Sequence, residues 1–129
     1  MKFDWSEYLK LAQELIESET NEAKQRSAIS RAYYAVFCYA RNYLKDYLDF
    51  QSRRGENEHQ TVAEEFKTYD SQNRKMREIG NDLSRLRLDR NKADYEDVFI
   101  GLGSKAKFAL KLATSIIDKI NELIKEKSL

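Results

Sequence analysis

The chain has 129 residues, of which 41% are apolar and 35% are charged, and its formal net charge is +1. It contains no proline and only four glycines, which excludes the closely spaced turns of an all-β protein. Its single cysteine excludes an internal disulfide framework. The length suits one domain with its own core, so we expect residues 1–129 to form a single helical domain.

No targeting or membrane signal is visible. The first residues, MKFDWSEYLK, have no apolar run before a small-residue cleavage site, and no segment approaches the about 18 consecutive apolar residues of a membrane span. Together with the lone thiol of Cys38, these features favour a reducing, cytoplasmic compartment and no membrane contact. The small net charge predicts that any RNA-binding surface is local.

The first helix is predicted from two signals near the start of the chain. Asp4 and Glu7 have the spacing of a capping box. Phe3 and Tyr8 have the spacing of a hydrophobic staple, which fixes the entry angle of the chain. The apolar residues that follow lie on one face, as expected for an amphipathic helix.

A long, aromatic-rich second helix is predicted from about Asn21 to about Tyr47, with Thr20 or Asn21 as its cap. At a rise of 1.5 Å per residue it is roughly 40 Å long. Besides a regular apolar stripe, it carries apolar or amphipathic side chains on its other side, namely Tyr34, Cys38 and Tyr39. A helix that is apolar nearly all round must be covered on more than one side. It therefore either runs through the centre of a bundle or contacts a second subunit.

Three more helices are predicted in the rest of the chain. A polar loop at residues 50–57 ends where Asn57 and Gln60 have the spacing of a capping box for a short third helix. Asp70 or Ser71 is expected to start the fourth helix.

Within the fourth helix, Gly80 costs about 1 kcal/mol relative to alanine, which suggests close helix packing or a kink. Residues 94–103 form the second predicted connection, and a regular stripe over residues 108–124 predicts the last helix. The sequence therefore predicts an all-α, up-and-down bundle of four to five helices.

Beyond Leu83, polar residues replace apolar ones on the face of the fourth helix that carries the apolar stripe. Arg87, Arg90 and Asp94 follow on the same face at helical spacing. They form either an exposed helix end, with solvated or weakly paired charges, or a polar site. In such a site the planar fork of arginine binds phosphate or carboxylate.

The fourth helix is also locally basic. Between residues 74 and 92 it carries three acidic residues and seven basic ones. The basic residues are Arg74, Lys75, Arg77, Arg85, Arg87, Arg90 and Lys92. This strip is either a solvated face or a contact for an RNA backbone, which the loop pair Arg53–Arg54 would extend.

The sequence predicts no metal site and no cofactor. His59 is the only histidine, and Cys38 lies in an apolar helix, so the two do not make a metal-binding set. As a general base His59 would need a positioned partner, and a place in the first turn of a helix is the other interpretation. No glycine-rich phosphate loop is present, and no serine-hydrolase motif surrounds Ser30.

Three segments resemble HEPN domains and together span most of the chain. Residues 27–37, SAISRAYYAVF, resemble the second-helix signature with its SRAYY core. Residues 59–62, HQTV, followed by Phe66, resemble the start of the third helix. Residues 90–95, RNKADY, are similar to the Arg-x-x-Ala-Asp-Tyr ending of the fourth helix in short single-domain members.

The resemblance implies a bundle of four or five helices that commonly forms homodimers. For the function it implies one of three alternatives. The first is a metal-independent RNase, which is often a toxin or defence effector. The others are a partner of a minimal nucleotidyltransferase and a non-catalytic binding module. RNase members carry an Arg, a polar residue and, a few residues later, a His. Arg90 and Asn91 match the start of this motif, but Tyr95 stands where the His is expected.

We therefore expect a HEPN-like module that dimerises and binds RNA, a nucleotide or a partner protein in a toxin–antitoxin or defence setting, with little or no catalysis. The residues expected at the site are Ser30, Arg31, Tyr34, His59, Arg87, Arg90, Asn91, Asp94 and Tyr95. One alternative is a metal-independent RNase toxin that uses Arg90 with Tyr95 or His59. Another is a structural partner subunit of a nucleotidyltransferase.

Overall fold

Five α-helices form the computed structural model, which describes residues 2–17, 19–52 and 57–127. In chain order they are α1 (Ser6–Glu17), α2 (Glu22–Leu48), α3 (Glu58–Thr68), α4 (Arg74–Tyr95) and α5 (Leu102–Lys127). Within these ranges there is no strand, and none of the helices has the length and apolar composition of a membrane span. The predicted all-α bundle is confirmed, with five helices. The pair Arg53–Arg54 of the predicted basic strip lies outside the described residues.

Helix α2 lies at the centre of the bundle and packs against all four other helices. Its buried side chains run from Ala28 to Leu44, and Tyr33 is only 1% exposed. On another side of α2, the hydroxyl of Tyr39 donates a hydrogen bond to Oδ1 of Asn121 in α5 at 2.5 Å. The chain itself therefore covers α2 on several sides, which accounts for the apolar character of this helix nearly all round.

Asparagine side chains cap three of the helices. Asn21 begins α2 by accepting the backbone N–H of Lys24 at 2.9 Å, and Asn57 begins α3 in the same way. Asn73 begins α4 by accepting the N–H of Met76 at 3.1 Å. Each cap satisfies one of the N–H groups that a helix leaves without an internal partner. The predicted caps Asn21 and Asn57 are confirmed.

The predicted start of α4 at Asp70 or Ser71 is wrong, because Asp70 forms a turn instead. Its carboxylate accepts the N–H of Gln72 at 3.0 Å, and its carbonyl accepts the N–H of Asn73 at 3.0 Å. Such local bonds compete with helix formation. The helix therefore begins only after Asn73.

The start of α1 also differs in detail from the predicted capping box. The carboxylate of Asp4 accepts the N–H and the hydroxyl of Ser6 at 3.0 and 2.6 Å, while the N–H of Glu7 bonds to the Asp4 carbonyl. The aromatic staple is present, since the ring centroids of Phe3 and Tyr8 are 5.4 Å apart.

The connection between α4 and α5 is shorter than predicted, because α4 continues to Tyr95 and α5 begins at Leu102. Arg26 of α2 donates to the main-chain carbonyl oxygens of Ala93 at 2.9 Å and Glu96 at 2.6 Å. Carbonyl groups at a helix C-terminus have no partner within the helix, so this side chain stabilises the last turn of α4.

The predicted close packing at Gly80 is confirmed. A Cβ atom at this position would lie 2.7 Å from the carbonyl oxygen of Ala63 and 2.7 Å from Cγ of Lys67, both in α3. The absence of a side chain therefore lets α3 and α4 come together, and these two helices carry most of the candidate site.

Candidate functional site

Arg90 of α4 is a buried cation, with only 7% of its surface exposed. Its guanidinium carbon lies 5.3 Å from the ring centroid of Tyr33 and 5.2 Å from that of Tyr34, both in α2. Each cation–π contact of this kind contributes about 0.5–2 kcal/mol, with the larger values where water is excluded. Two aromatic rings of α2 therefore hold Arg90 inside the bundle rather than at its surface.

A carboxylate and a hydroxyl complete the surroundings of this guanidinium. Oδ2 of Asp94 lies 3.8 Å from Nη1 of Arg90, and Oγ of Ser30 in α2 donates to the same oxygen at 3.4 Å. Both contacts are long, and 28% of the Asp94 side chain is exposed, so solvent weakens the ion pair. The structure nevertheless brings four of the predicted residues together, namely Ser30, Tyr34, Arg90 and Asp94.

His59, in the first turn of α3, joins the same cluster. Its Nδ1 lies 2.6 Å from the hydroxyl oxygen of Tyr33, and its ring centroid lies 4.2 Å from that of Phe37. Burial, followed by the positive charges of Arg90 and Arg87, lowers the pKa of His59 below its ordinary value of 6.5. The imidazole is therefore neutral near pH 7.

The bond to Tyr33 decides which imidazole nitrogen carries the proton. Burial is the main cause that raises the pKa of the Tyr33 phenol far above its ordinary value of 10.0, so this hydroxyl keeps its proton. In the part of the chain that the structure describes, His59 Nδ1 is its one hydrogen-bond partner. The hydroxyl therefore donates to Nδ1, and the neutral ring carries its own proton on Nε2.

A cavity of about 240 Å³ opens between α3 and α4 next to this cluster. Its walls combine polar and apolar side chains, namely His59, Gln60, Ala63, Glu64, Leu83, Ser84, Arg87, Leu88 and Asn91. Three of the predicted site residues, His59, Arg87 and Asn91, therefore share one concave surface. Such a surface, with a few polar groups on an apolar wall, is typical of a small-ligand site.

Arg87 is a cation that lines this cavity and has one unpaired donor. Its Nε is buried and has no hydrogen-bond partner among the described residues, and the same holds for Nε of Arg90. A buried donor without a partner costs about 1–3 kcal/mol, and more when it belongs to a charged group. Because the Arg87 side chain lines the cavity, an anion bound there would lie beside its positive charge.

Two predicted residues lie apart from the cavity. Arg31 is exposed, with its guanidinium carbon 5.1 Å from the ring centroid of Tyr8 in α1, and it shares a neighbouring groove with Asp94. Tyr95 is 77% exposed. At 3.6 residues per turn it also points about 140° away from Arg90 around the axis of α4. The structure does not bring Tyr95 next to the buried guanidinium.

The predicted basic strip of α4 does not form one continuous surface. Arg74 bonds to Glu78 at 2.7 Å, and Lys75 bonds to carboxylates of α5. Arg85 lies over the ring of an aromatic residue of α5. Of the strip, Arg87 lines the cavity, so a phosphate contact on this helix would be local rather than extended.

Three residues of the site were not predicted as such, namely Tyr33, Phe37 and Arg26. Tyr33 and Phe37 continue the apolar stripe of α2, so the pattern alone does not separate them from ordinary core residues. Arg26 contacts carbonyl groups about 70 residues further along the chain, and no spacing rule reaches across that distance. The SRAYY segment was the one available signal, because it contains Tyr33.

Within the described residues, no group of three or more His, Cys, Asp or Glu side chains is placed to hold a metal ion. Cys38 is buried, and burial raises the pKa of its thiol. A protonated, buried thiol is a poor nucleophile, so Cys38 acts as a small core residue.

The fold and the cluster define a helical-bundle domain whose central helix supports a polar site on two neighbouring helices. The model of the HEPN domain matches residues 6–123, from the start of α1 to the last turns of α5. The chain therefore belongs to the HEPN family, as its resemblance at three segments predicted.

A relative comes from Methanocaldococcus jannaschii and is described as an uncharacterized protein. It is 32% identical over an alignment of 106 positions, and the alignment covers 73% of this chain and 64% of the relative. The chain thus spans less than two thirds of that protein's length. No solved structure matches the chain significantly.

Proposed function

We propose that this protein is a HEPN module that binds the phosphate of RNA or of a nucleotide in the α3–α4 cavity, with little or no catalysis. The observation that supports this most directly is that Arg87, a cation whose enclosed Nε has no partner among the described residues, lines a cavity together with His59 and Asn91. A guanidinium binds phosphate with two parallel N–H donors, and it does so most strongly where water is excluded.

The other polar groups of the cavity have complementary roles in this proposal. The Nε2–H of neutral His59 gives a second donor toward the anion. The side-chain amides of Asn91 and Gln60 provide both donors and acceptors, which match the edge of a base. Arg90 acts as a positioning residue, because it stacks on Tyr33, whose hydroxyl holds His59.

The same geometry gives little support for efficient cleavage. Metal-independent hydrolysis of RNA needs a base for the attacking hydroxyl within hydrogen-bond reach. With its proton on Nε2, neutral His59 offers the cavity a donor rather than a base. Tyr95 lies exposed on another side of α4. Binding is therefore the function that the site supports best.

Fluorescence anisotropy with labelled single-stranded RNA and with a labelled nucleotide tests this proposal. We expect Arg87→Ala to weaken binding by about tenfold or more, since a charge-assisted bidentate contact is lost. Arg77→Ala is the matched control, because Arg77 is exposed on the same helix and does not line the cavity. Equal losses in both variants, or no binding by the parent protein, would contradict a site at Arg87.

A second candidate is a metal-independent RNase, and the neutral His59 beside two arginines is the observation that favours it. If ligand binding turns the Tyr33 hydroxyl so that it accepts instead of donates, the neutral ring can carry its one proton on Nδ1, and Nε2 of His59 becomes a base close to Arg87 and Arg90. Pure protein, incubated with total RNA and a chelator, should then cleave, while His59→Gln and Arg90→Ala should not. Absent cleavage, or equal cleavage by all three proteins, rules this candidate out.

We further propose that the protein forms homodimers and acts in the cytoplasm in a toxin–antitoxin or defence setting, with an antitoxin or a nucleotidyltransferase as partner. Family membership supports this setting. The remaining alternative, a structural subunit of a nucleotidyltransferase, makes a separate prediction. In that case Arg87→Ala would leave a purified complex with the partner intact, and no RNA or nucleotide would bind.

A further inference from the structure

A second cavity, of about 230 Å³, shares no lining residue with the Arg87 cavity and lies where the N-terminal segment meets the second half of α2 and the end of α5. Five aromatic side chains line it, namely Phe3, Trp5, Tyr39, Tyr43 and Tyr47. Two carboxylates, those of Asp4 and Asp46, stand at the same cavity. None of these seven residues belongs to the site described above.

The rings are held in fixed positions by one another. Phe3 and Trp5 meet edge to face, with centroids 4.9 Å apart and planes at 83°. Tyr43 and Tyr47 are stacked at 5.3 Å with planes at 24°. Phe3 and Tyr47 are each 46% exposed, so their rings are accessible to a molecule from solution. An aromatic face carries a negative quadrupole, so a wall of such rings attracts a cation.

The charges at the rim point to the same class of ligand. The ammonium of Lys2 lies on the Asp46 carboxylate, at 3.0 and 3.2 Å from its two oxygens. Side-chain exposures of 70% and 48% make this ion pair a weak one that a ligand can displace. Asp4 is oriented from the other side, because its Oδ1 accepts two hydrogen bonds from Ser6.

We propose that this cavity, the aromatic cavity, binds a small organic ammonium cation, with the rings around its alkyl groups and Asp46 as its counter-ion. Aromatic walls with an adjacent carboxylate are the arrangement that recognises quaternary and methylated ammonium groups. A neutral apolar ligand would have no use for the two carboxylates. The volume is below the about 300–1,000 Å³ of sites for drug-sized molecules, so the ligand has few heavy atoms. In the structure the ammonium of Lys2 is paired with the Asp46 carboxylate, which the ligand would take over.

The sole tryptophan of the chain lines the aromatic cavity, which provides the measurement. Trp5 fluorescence should change in a saturable way on titration with choline chloride. The matched probe is dimethylbutanol, the neutral carbon isostere of choline, and sodium chloride keeps the ionic strength constant. We expect a response to choline and none to the isostere. An equal response to both, or no response to choline, would overturn the proposal.

Three variants locate the cation within the cavity. Asp46→Asn and Tyr47→Ala should each weaken choline binding by about threefold to thirtyfold, as the loss of a charge or of one cation–π contact predicts. Tyr69→Ala is the control, because Tyr69 is an exposed tyrosine, at 52%, that lies outside the aromatic cavity. Circular dichroism confirms that each variant is folded. Unchanged affinity in both cavity variants would overturn the assignment.

Lys2→Ala gives an independent test that carries little risk to folding, since this side chain is 70% exposed. If the Lys2 ammonium competes for Asp46, its removal should strengthen choline binding by about twofold to fivefold. An unchanged affinity would show that Asp46 is not the counter-ion. A parallel titration with a peptide that carries trimethyllysine tells the source of the ligand. Tighter binding of the peptide than of choline identifies a protein-borne cation, and the reverse identifies a free one.

Discussion

The buried guanidinium of Arg90 shows how individual side chains share one charge. Its contact with Asp94 is long and partly exposed, so it contributes little by itself. The rings of Tyr33 and Tyr34 lie within cation–π distance, in a region that excludes most of the water. We infer that the aromatic pair, more than the carboxylate, keeps Arg90 in place, and that the charge of Arg90 adds to the burial that keeps His59 neutral.

The depressed pKa of His59 predicts how stability depends on pH. The unfolded chain takes up a proton at the ordinary value of 6.5, whereas the folded protein takes it up only at lower pH. Between these two values the unfolded state holds more protons, so the free energy of unfolding falls as the pH decreases. Urea denaturation from about pH 7.5 down to about pH 5 should show this fall, since carboxylates with lowered pKa titrate below that range.

The matched variant for this prediction is His59→Gln, which keeps a hydrogen-bonding side chain but does not titrate. Its free energy of unfolding should vary less between about pH 7.5 and about pH 5 than that of the parent protein. The pKa of Glu58 is lowered, chiefly by a hydrogen bond from Ser52, so the contribution of Glu58 to the free energy of unfolding is lost only at more acidic pH. Parallel curves for the two proteins would show that His59 is not the group that titrates.

At the scale of the helices, the contact of α3 with α4 depends on a missing side chain at Gly80. Gly80→Ala should destabilise the protein by about 1–3 kcal/mol, because the new Cβ would overlap the carbonyl of Ala63. This exceeds the gain of about 1 kcal/mol in helix propensity. Gly103→Ala is the control, since its Cβ would meet Gln25 Nε2 at an ordinary 3.5 Å. It should leave stability unchanged or raise it by up to about 1 kcal/mol.

Urea denaturation of both glycine variants provides the measurement. The midpoint of each curve and the slope of the free energy of unfolding against urea concentration are compared with those of the parent protein. The two substitutions add the same methyl group to a helix, so the difference between them isolates the effect of packing. If Gly80→Ala were as stable as Gly103→Ala, α3 and α4 would not approach as closely as the structure shows.

Arg26 links two helices at the end of the site, and its removal should loosen only that region. It donates to the carbonyl oxygen of Ala93, in the last turn of α4, and to those of Glu96 and Asp97, which follow the helix directly. Arg26→Ala should lower stability by about 1–2 kcal/mol, because water replaces only part of these bonds. Hydrogen exchange should then be faster in the last turn of α4 but unchanged in α5. Arg77→Ala, at an exposed position, is the control. Equal exchange rates in the last turn of α4 for Arg26→Ala and Arg77→Ala would contradict this link between α2 and α4.

The sequence predicted what depends on near neighbours along the chain. The Asn21 and Asn57 caps each act over three residues, and the five helices follow from local periodicity. The predicted cap of α4 was wrong because Asp70, three residues before Asn73, can also accept a backbone N–H. In the structure its carboxylate accepts the N–H of Gln72 in a turn instead of capping the helix.

The contacts that form the site depend on how helices pack, and no local pattern encodes them. The bond from Tyr33 to His59 joins residues 26 apart, and Arg26 reaches Ala93 across 67 residues. The polar break after Leu83 did indicate a site on α4. It gave no sign that Arg90 is enclosed by two tyrosines while Arg87 faces the cavity.

At the scale of the whole molecule, the two cavities lie on either side of a shared aromatic framework. The guanidinium carbon of Arg41 lies 5.9 Å from the ring centroids of both Trp5 and Phe37. Phe37 stacks on His59, while Trp5 lines the aromatic cavity. The central helix α2 therefore supports both regions, which explains why it carries so many rings.

For the proposed homodimer, the connection between α4 and α5 offers an exposed apolar surface. Val98 is 74% exposed and Ile100 is 89% exposed, close in sequence to the exposed Tyr95. Burying a valine or isoleucine side chain contributes about 1.5–3 kcal/mol, so a symmetric contact through this loop would strongly favour association. We expect the parent protein to sediment as a dimer at micromolar concentration.

The double variant Val98→Ser with Ile100→Ser should raise the dimer dissociation constant by about tenfold or more, since apolar area at the contact is lost twice in a symmetric pair. Its monomer should stay as stable as the parent chain, because both side chains are already exposed. Leu11→Ser, at a 39% exposed position of α1, is the matched control and should leave the dissociation constant unchanged. Sedimentation equilibrium at several concentrations distinguishes the outcomes. A parent chain that remains monomeric would refute the homodimer. A double variant that associates as strongly as the parent would show that the dimer contact is not at this loop.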